Sequence, residues 1–238
     1  HRKRPTAARC FSIVSSPTEQ SILQFSMRSK GRYTRAIADL KEGDEVKVRG
    51  PFGGFVLEDA HGSETVMLAG GIGVTPLISM IRFATDTNLN LKISLIYSCS
   101  TQDDVPFAEE LIDLEKHNPN LQIFFVIGDG PIDKFANQKV IAGRINAGII
   151  DNVIDNNYPN KTFFVCGPPP FMRGMSAILK DKQVTDNRII TEAFSQGPNR
   201  QTGKVRSWPF NIYVLGAAGL ALGSFVVMVS DLMKTLPP

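Results

Sequence analysis

The chain has 238 residues, of which 42% are hydrophobic and 21% are charged, as in ordinary globular proteins. Its formal net charge of +3 is too small to indicate nucleic-acid binding, and basic residues are not interleaved with aromatic ones. The three cysteines are far apart and lack CxxC spacing, which excludes a cysteine-ligated iron–sulfur cluster or zinc ribbon within these residues. The histidines are isolated, so we expect no metal site.

The first part of the chain predicts a β-rich region. Short segments at 12–14, 22–27 and 45–48 have the composition or the alternation of strands. Gly31 and Thr34 come just before a short apolar pattern with helical spacing, where a helix N-terminus can bind a phosphate. The strands are too few for a complete barrel, which has about six to eight.

A glycine loop follows, and the rest of the chain is organised around it. Residues 65–69 form an apolar run that predicts a buried strand. The run ends in Gly70-Gly71-Ile72-Gly73, after which Thr75 suits a helix cap and Pro76 suits a first helical turn. This pattern presents backbone N–H groups to a phosphate, although an ordinary tight turn between a strand and a helix has the same residues.

From residue 64 onwards, predicted strands alternate with predicted helices, which is typical of a doubly wound parallel sheet. Such a sheet binds its ligands at the carboxyl ends of its strands. Candidate residues follow three of these ends, at 70–73, 98–100 and 166–170. The other predicted strands are 91–97, 121–127, 161–166 and 188–191, and the predicted helices are 75–84, 105–115, 146–154 and 169–180.

The last part of the chain contains an apolar stretch, residues 207–230, without a single charged residue. A helix over 208–230 would cross most of a bilayer core of ~30 Å, so we predict a single-pass C-terminal transmembrane helix. A buried core helix is the alternative, but it would have a polar face. Three basic residues precede the stretch, Arg200, Lys204 and Arg206, and fewer follow it. By the positive-inside rule, this predicts that the soluble domains are cytoplasmic.

Four motifs resemble those of the ferredoxin–NADP reductase superfamily and occur in the same order. Arg9-Cys-Phe-Ser12 resembles its flavin signature Arg-x-Tyr-Ser, and Gly31-Arg-Tyr-Thr34 resembles its second flavin motif. Gly70-Gly-Ile-Gly-Val-Thr-Pro76 resembles its nicotinamide-nucleotide loop, and Cys166-Gly-Pro-Pro resembles its Cys-Gly-Pro motif. The resemblance covers about residues 7–195 and implies FAD and NADH or NADPH as cofactors.

The resemblance also implies a fold, namely a β-barrel flavin domain plus an α/β doubly wound parallel-sheet nucleotide domain, followed here by the transmembrane helix. The family's flavin domain begins several strands before its signature, so we expect the barrel in this sequence to be N-terminally incomplete. The predicted division is a flavin-binding β domain at 1–62, an NAD(P)-binding α/β domain at 63–195, a linker at 196–207, the transmembrane helix at 208–230 and a short tail at 231–238.

On the flavin side, the residue types suit the predicted roles. Arg9 offers a permanently charged partner for a pyrophosphate, and Phe11 offers a flat apolar face for the isoalloxazine. Strand alternation turns both to one side. By resemblance, Ser12 lies near flavin N5, and Gly31 and Thr34 bind the flavin phosphates. The family usually has Tyr at the position of Phe11, so stacking is expected without the phenolic hydrogen bond.

On the nicotinamide side, glycines let a pyrophosphate approach the backbone, and Thr75 can donate its hydroxyl. By resemblance, Cys166 faces the site of hydride transfer, and we assign it positioning because nothing near it indicates a lowered thiol pKa. Ser12 and Cys166 are thus the predicted catalytic residues. The remaining predicted residues on this side are Gly70, Gly71, Gly73, Ser98, Gly167 and Pro168. Glu192-Ala-Phe194 resembles a terminal motif of the family, which implies that the Phe194 ring binds beside the flavin.

These observations predict an FAD-dependent NAD(P)H oxidoreductase that passes hydride from nicotinamide to flavin and then electrons to a protein or small-molecule acceptor at the membrane. Residues 98–104 contain two carboxylates and no Arg or Lys, which favours NADH. Ferredoxin, a cytochrome, a quinone or a small oxidant remain open as acceptors. The alternative is a non-catalytic, membrane-anchored docking or regulatory subunit that retains the fold. Unlike a reductase, such a subunit would show no bleaching of flavin absorbance when NADH is added.

Overall fold

The computed structural model describes residues 9–58, 62–135, 138–193, 212–218 and 222–229. The strands are β1 (Ile22–Arg28), β2 (Glu45–Val46), β3 (Glu64–Gly70), β4 (Lys92–Cys99), β5 (Leu121–Ile127), β6 (Lys139–Ala142), β7 (Thr162–Cys166), β8 (Ile189–Glu192), β9 (Ile212–Ala218) and β10 (Leu222–Val229). The helices are α1 (Arg32–Ala38), α2 (Val74–Asp86), α3 (Ala108–His117), α4 (Ala147–Val153) and α5 (Pro169–Asp181). The chain divides into unit 1, His1–Gly54 with Gln196–Pro238, and unit 2, Phe55–Ser195.

Unit 2 is built on a six-stranded parallel sheet with the order β6-β5-β4-β3-β7-β8. The chain runs outwards from β3 to β6 and then returns to the other side of β3 with β7 and β8. This reversal creates a topological switch point at the carboxyl ends of β3 and β7. The predicted doubly wound parallel sheet is confirmed.

The central strands of the sheet in unit 2 are mostly apolar, and helices bury their side chains. On one face, Val66 and Leu68 of β3 join a buried cluster with Met175 and Leu179 of α5. On α2, Leu77, Ile78 and Ile81 have the spacing of one helical face and are fully buried. Burial of each such side chain contributes roughly 1.5–3 kcal/mol, so the position of β3, and hence of the loop after it, is firmly set.

Unit 1 contains a four-stranded sheet with the order β1-β10-β9-β2, in which all the pairings are antiparallel. Phe25 and Met27 of β1 are buried and pack against partly buried residues that include Phe11, Ile37 and Val46. The predicted strands at 22–27 and 45–48 are found as β1 and β2, whereas 12–14 forms a single bridge from Ile13 to Phe25. Unit 1 therefore has its own small core.

The predicted transmembrane helix over 208–230 is wrong where the structure describes this stretch, because β9 and β10 occupy it. They pair with each other and with β1 and β2. A uniformly apolar run has no periodicity that separates a helix from buried strands, and its three glycines lower helix propensity. Among the described helices, none has the length and apolar character needed to cross a bilayer. The predicted linker and tail lie outside the described residues.

Candidate functional site

The glycine loop lies at the carboxyl end of β3 and is held by two side-chain hydrogen bonds. Residues 71–73 form one short 3-10 turn, and Gly71 has a φ of +53°, which favours glycine. The Tyr97 hydroxyl donates to the Gly71 carbonyl oxygen at 3.1 Å, and Thr75 Oγ1 donates to the Ile72 carbonyl oxygen at 3.0 Å. Thr75 therefore does not cap α2 as predicted, since Gly73 occupies the N-cap position.

The loop packs directly against the backbone that follows β7. A Cβ atom placed on Gly73 would lie 2.3 Å from the Cys166 carbonyl oxygen and 2.6 Å from Gly167 N. A Cβ atom on Gly167 would lie 3.1 Å from the Gly70 Cα, and the Phe171 ring covers both of these glycines. The structure therefore brings together the two predicted nicotinamide motifs at the switch point, and it leaves no room there for larger residues.

Electrostatics around Cys166 favour a neutral thiol. Cys166 is fully buried and pairs in register with Glu192 on β8. Burial first, and then the Glu192 carboxylate, raises the pKa of the thiol far above its usual range; burial also raises the pKa of Glu192. A protonated thiol suits positioning and not nucleophilic attack.

The ends of β4 and β5 form the remaining side of this site. Ser98 is opposite Gly70 in the register of β3 and β4 and is partly buried. Gln102 is buried beyond β4 and donates from Nε2 to Asp133 Oδ1 at 2.8 Å, which lowers the pKa of Asp133. Asp103 is exposed, with Lys134 Nζ at 3.9 Å from its Oδ1. Carboxylates thus outnumber cations among these residues.

The flavin motifs come together in unit 1 around Tyr33. The Arg9 guanidinium lies 5.6 Å from the centre of the Tyr33 ring, and Phe11 stacks on that ring at 6.3 Å between centroids with an interplanar angle of 23°. Arg9 and Phe11 therefore approach the same side chain, as their alternation along the chain predicts.

The polar groups of the flavin motifs differ in what they can still bind. Ser12 Oγ is buried and has no hydrogen-bond partner among the described residues, and a bound ligand would satisfy it. Thr34 Oγ1 accepts from Gly31 N at 3.0 Å and from Lys30 N at 3.1 Å. A Cβ atom on Gly31 would meet nothing within 4 Å, so space is open beside this turn. The aromatic pair with its guanidinium, and separately the orphan hydroxyl of Ser12, are the kinds of group that a flavin would use.

Three functional candidates were missed in the sequence, namely Tyr97, Glu192 as a member of the site, and Tyr33. Each is defined by a partner distant in the chain or by a ring contact, so only strand register and packing reveal it.

The remaining predicted site residues are placed as follows. Pro168 is the exposed N-cap of α5, beside the buried Gly167. Phe194 lies outside the described residues. Within the described ranges, no three His, Cys, Asp or Glu side chains gather as metal ligands.

Residues 67–177 match the family model of the oxidoreductase NAD-binding domain. The match covers most of unit 2 and shows that this unit is similar to an oxidoreductase NAD-binding domain. The matched range begins within β3 and includes the glycine loop, Ser98 and the Cys166-Gly-Pro motif. In doubly wound domains that bind dinucleotides, the nucleotide binds at the switch point.

Curated relatives extend the similarity beyond the NAD-binding domain. The chain is 31% identical over 186 residues to the gamma subunit of sulfhydrogenase 2 from Pyrococcus furiosus, covering 75% of this chain and 64% of that protein. It is 28% identical over 199 residues to the ferredoxin–NAD(P)(+) reductase component of the naphthalene 1,2-dioxygenase system of Pseudomonas putida, covering 81% and 58%. The chain thus spans only part of the length of these relatives.

A solved structure supports the fold of the superfamily. The ferredoxin NADP+ reductase from Neisseria gonorrhoeae with bound FAD and NADP superposes with a TM-score of 0.62 at 19% identity, covering 77% of this chain and 78% of that one. The expected cofactors, FAD with NADH or NADPH, and the expected reductase class agree with these relatives.

Proposed function

We propose that this chain acts as an FAD-dependent NAD(P)H oxidoreductase that passes electrons to a separate acceptor protein. The observation that carries the proposal is the backbone contact between the glycine loop and the residues after β7, at Gly73 and Cys166. A Cβ has no space at Gly70, Gly73 or Gly167, so the two loops lie side by side at the switch point, where a glycine loop before a helix N-terminus is suited to a pyrophosphate. The first turn of α2 contains no acidic residue that would repel it.

Residues of the chain supply binding and orientation, whereas bound FAD supplies the conversion between hydride transfer and single-electron transfer. Tyr97 and Thr75 hold the glycine loop in shape for the nicotinamide nucleotide. The neutral, buried Cys166 fills the base of this site without competing for the hydride. In unit 1, Arg9 binds the flavin pyrophosphate, and the unsatisfied Ser12 hydroxyl hydrogen-bonds the flavin ring.

NADH is the proposed donor in preference to NADPH. The exposed Asp103 and the Asp133 carboxylate, whose lowered pKa keeps it charged, lie beyond the ends of β4 and β5. A 2′-phosphate placed near them would meet like charge, which Lys134 balances only in part because it already pairs with Asp103. A kcat/KM for NADPH at or above that for NADH would contradict this preference.

A protein electron acceptor is proposed because the related Pseudomonas putida protein is, by its name, the reductase component of a dioxygenase system. In this proposal, electrons pass from the flavin to that partner. Ferredoxin-type, cytochrome and quinone acceptors can be compared in one turnover assay with each supplied in turn.

A membrane location for residues 207–230 remains a prediction from their apolar composition. Because β9 and β10 pair with β1 and β2, deleting the stretch would remove half of the sheet of unit 1, and truncation is an unsuitable test. Fractionation of cells that express the full chain tests it directly. Recovery in the membrane pellet supports the location, and recovery in the supernatant at low salt contradicts it.

The reductase proposal is tested by purifying the full chain, supplying FAD and adding NADH without oxygen. The expected result is a yellow protein whose flavin absorbance bleaches on adding NADH. A protein that takes up no FAD, or that holds FAD but does not bleach, would contradict the proposal and favour the non-catalytic alternative.

A further inference from the structure

The strand β1 has the flavin motif on one of its edges. We refer to residues 9–15, which contain that motif, as the flavin segment. A bridge joins Ile13 of this segment to Phe25 of β1. Next to the bridge, Val14 N donates to the Gln24 carbonyl oxygen at 2.8 Å. The backbone of the flavin segment is therefore attached to β1.

The side chains of the flavin segment also depend on β1. Phe11 packs against the buried cluster of Phe25 and Met27. Ser12, whose buried hydroxyl lacks a hydrogen-bond partner among the described residues, lies in the chain between Phe11 and the bridge at Ile13. The positions of these two proposed flavin contacts are thus set by the position of β1.

The other edge of β1 is covered by β10, which pairs with all seven residues of β1. β9 pairs in turn with β10 and with β2. β9 and β10, which we call the C-terminal strand pair, therefore occupy both central positions of this sheet. Because β2 has only two residues and a sheet needs three or more strands to be stable by itself, β1 depends on the C-terminal strand pair for its place in unit 1.

The directions of the hydrogen bonds identify the residues that join β1 to β10. Gln24 directs both of its backbone groups at the flavin segment, since its carbonyl oxygen accepts from Val14 N and its N–H donates to Ser15 Oγ at 3.1 Å. Successive residues of a strand direct these groups at opposite edges. Phe25 therefore directs its own at β10, where it exchanges both backbone hydrogen bonds with Phe225.

We propose that the C-terminal strand pair is a positioning element of the flavin site, which holds Phe11 and Ser12 in place for FAD through β1. The inference rests on the proposed function, because FAD is the ligand that these two residues contact there. It goes beyond that function because it makes the cofactor site depend on strands from the opposite end of the sequence. Breaking the pairing of β1 with β10 should weaken FAD binding and leave the nucleotide site of unit 2 intact.

The first test is an FAD titration of the full chain carrying Phe225→Pro. Proline removes the N–H that donates to Phe25, and it does not fit a central strand. We expect the affinity for FAD to fall roughly 10- to 100-fold, because only chains with β1 in place bind the flavin. Phe225→Leu keeps the N–H and should bind FAD as the wild type does. Calorimetric binding of NADH should be unchanged in both variants, which separates a local effect from a loss of folding.

The second test is a disulfide across the two strands. Ser26 and Ser224 form the next pair in register, which is not hydrogen-bonded, so their Cα atoms lie about 4.5 Å apart and within the range for a disulfide. Ser26→Cys/Ser224→Cys should form this disulfide on mild oxidation, as detected by mass spectrometry of the digested protein. Combined with Phe225→Pro, the disulfide should restore FAD binding, whereas Ser26→Cys alone should not.

The outcomes separate this inference from the proposed function. A wild type that takes up no FAD would contradict the proposed function. A wild type and a Phe225→Pro variant that bind FAD equally tightly would contradict the inference alone, as would an equal loss in Phe225→Leu. The inference would also be overturned if the double-cysteine protein formed no disulfide, or if the disulfide formed without restoring FAD binding.

Discussion

Replacing Gly73 by alanine tests the contact on which the nicotinamide site depends. The added Cβ would lie 2.3 Å from the Cys166 carbonyl oxygen, whereas ordinary contacts begin at 3.4 Å, so the two backbones must separate by about 1 Å. Neither neighbour is a flexible side chain that can turn away. Overpacking of this kind costs roughly 1–3 kcal/mol of unfolding free energy, and a displacement of ~1 Å at a reacting site costs roughly 100-fold in rate.

The assay is stopped-flow reduction of the bound flavin by NADH without oxygen. Gly73→Ala is expected to slow flavin reduction roughly 100-fold at a fixed NADH concentration, while FAD content stays normal because the flavin residues belong to unit 1. The control is Gly174→Ala on α5, where an added Cβ meets nothing within 4 Å. That control should leave the rate unchanged and raise unfolding free energy by about 0.5–1 kcal/mol. A folded Gly73→Ala protein that reduces flavin at the wild-type rate would show that the close contact at Gly73 does not position the nicotinamide nucleotide.

Three further predictions concern single side chains. Tyr97→Phe removes the hydroxyl that holds the glycine loop. The loss of one hydrogen bond of ~1 kcal/mol should raise KM for NADH about fivefold with little change in kcat. A lower kcat with unchanged KM would contradict this prediction. Cys166 should resist alkylation at pH 8 in the folded protein because its pKa is raised, whereas the exposed Cys10 should react; equal labelling by mass spectrometry would contradict the burial. Asp151→Asn should lower Tm at neutral pH, because hydrogen bonding from Lys182 lowers the pKa of Asp151. That difference should vanish as pH falls below ~3.9 and the carboxylate is protonated.

The fold of unit 2 was predictable from the sequence because its local propensities and its strand–helix alternation indicate the same structure. The run at 65–69 is apolar and bounded by glycine, and it is found as Glu64–Gly70. The missed strand Lys139–Ala142 is a short edge strand of four residues that pairs on one side only, with β5, and it is too short for a pattern. Sequence patterns identify long elements better than short ones.

The C-terminal stretch shows where composition misleads. Residues 207–230 satisfy the length and hydropathy of a membrane helix, yet two strands are found there, paired with β1 and β2. A charge-free apolar run carries no period of 3.6 or 2, so it does not distinguish a helix from strands. The partner strands β1 and β2 lie more than roughly 160 residues away in the chain. The antiparallel pairing of these strands depends on tertiary contacts that local propensity does not encode.

The candidate site was predicted in its residue types but not in its contacts. The glycines of the loop and Cys166 were identified from motifs, whereas Tyr97 and Glu192 were missed because their roles arise from strand register. Thr75 was expected to cap α2, but its hydroxyl bonds to a carbonyl instead, since Gly73 already occupies the cap position. A threonine hydroxyl can either accept a hydrogen bond as a helix cap or donate one to a carbonyl, and the residue type alone does not show which it does.

The proposed reaction is the transfer of a hydride from a nicotinamide nucleotide to FAD. It can be measured by oxygen-free titration of the FAD-loaded full chain with NADH, followed by flavin absorbance. Complete bleaching is expected with an end point at one NADH for each bound FAD, because one hydride reduces one flavin. Bound FAD that keeps its absorbance in excess NADH would contradict it.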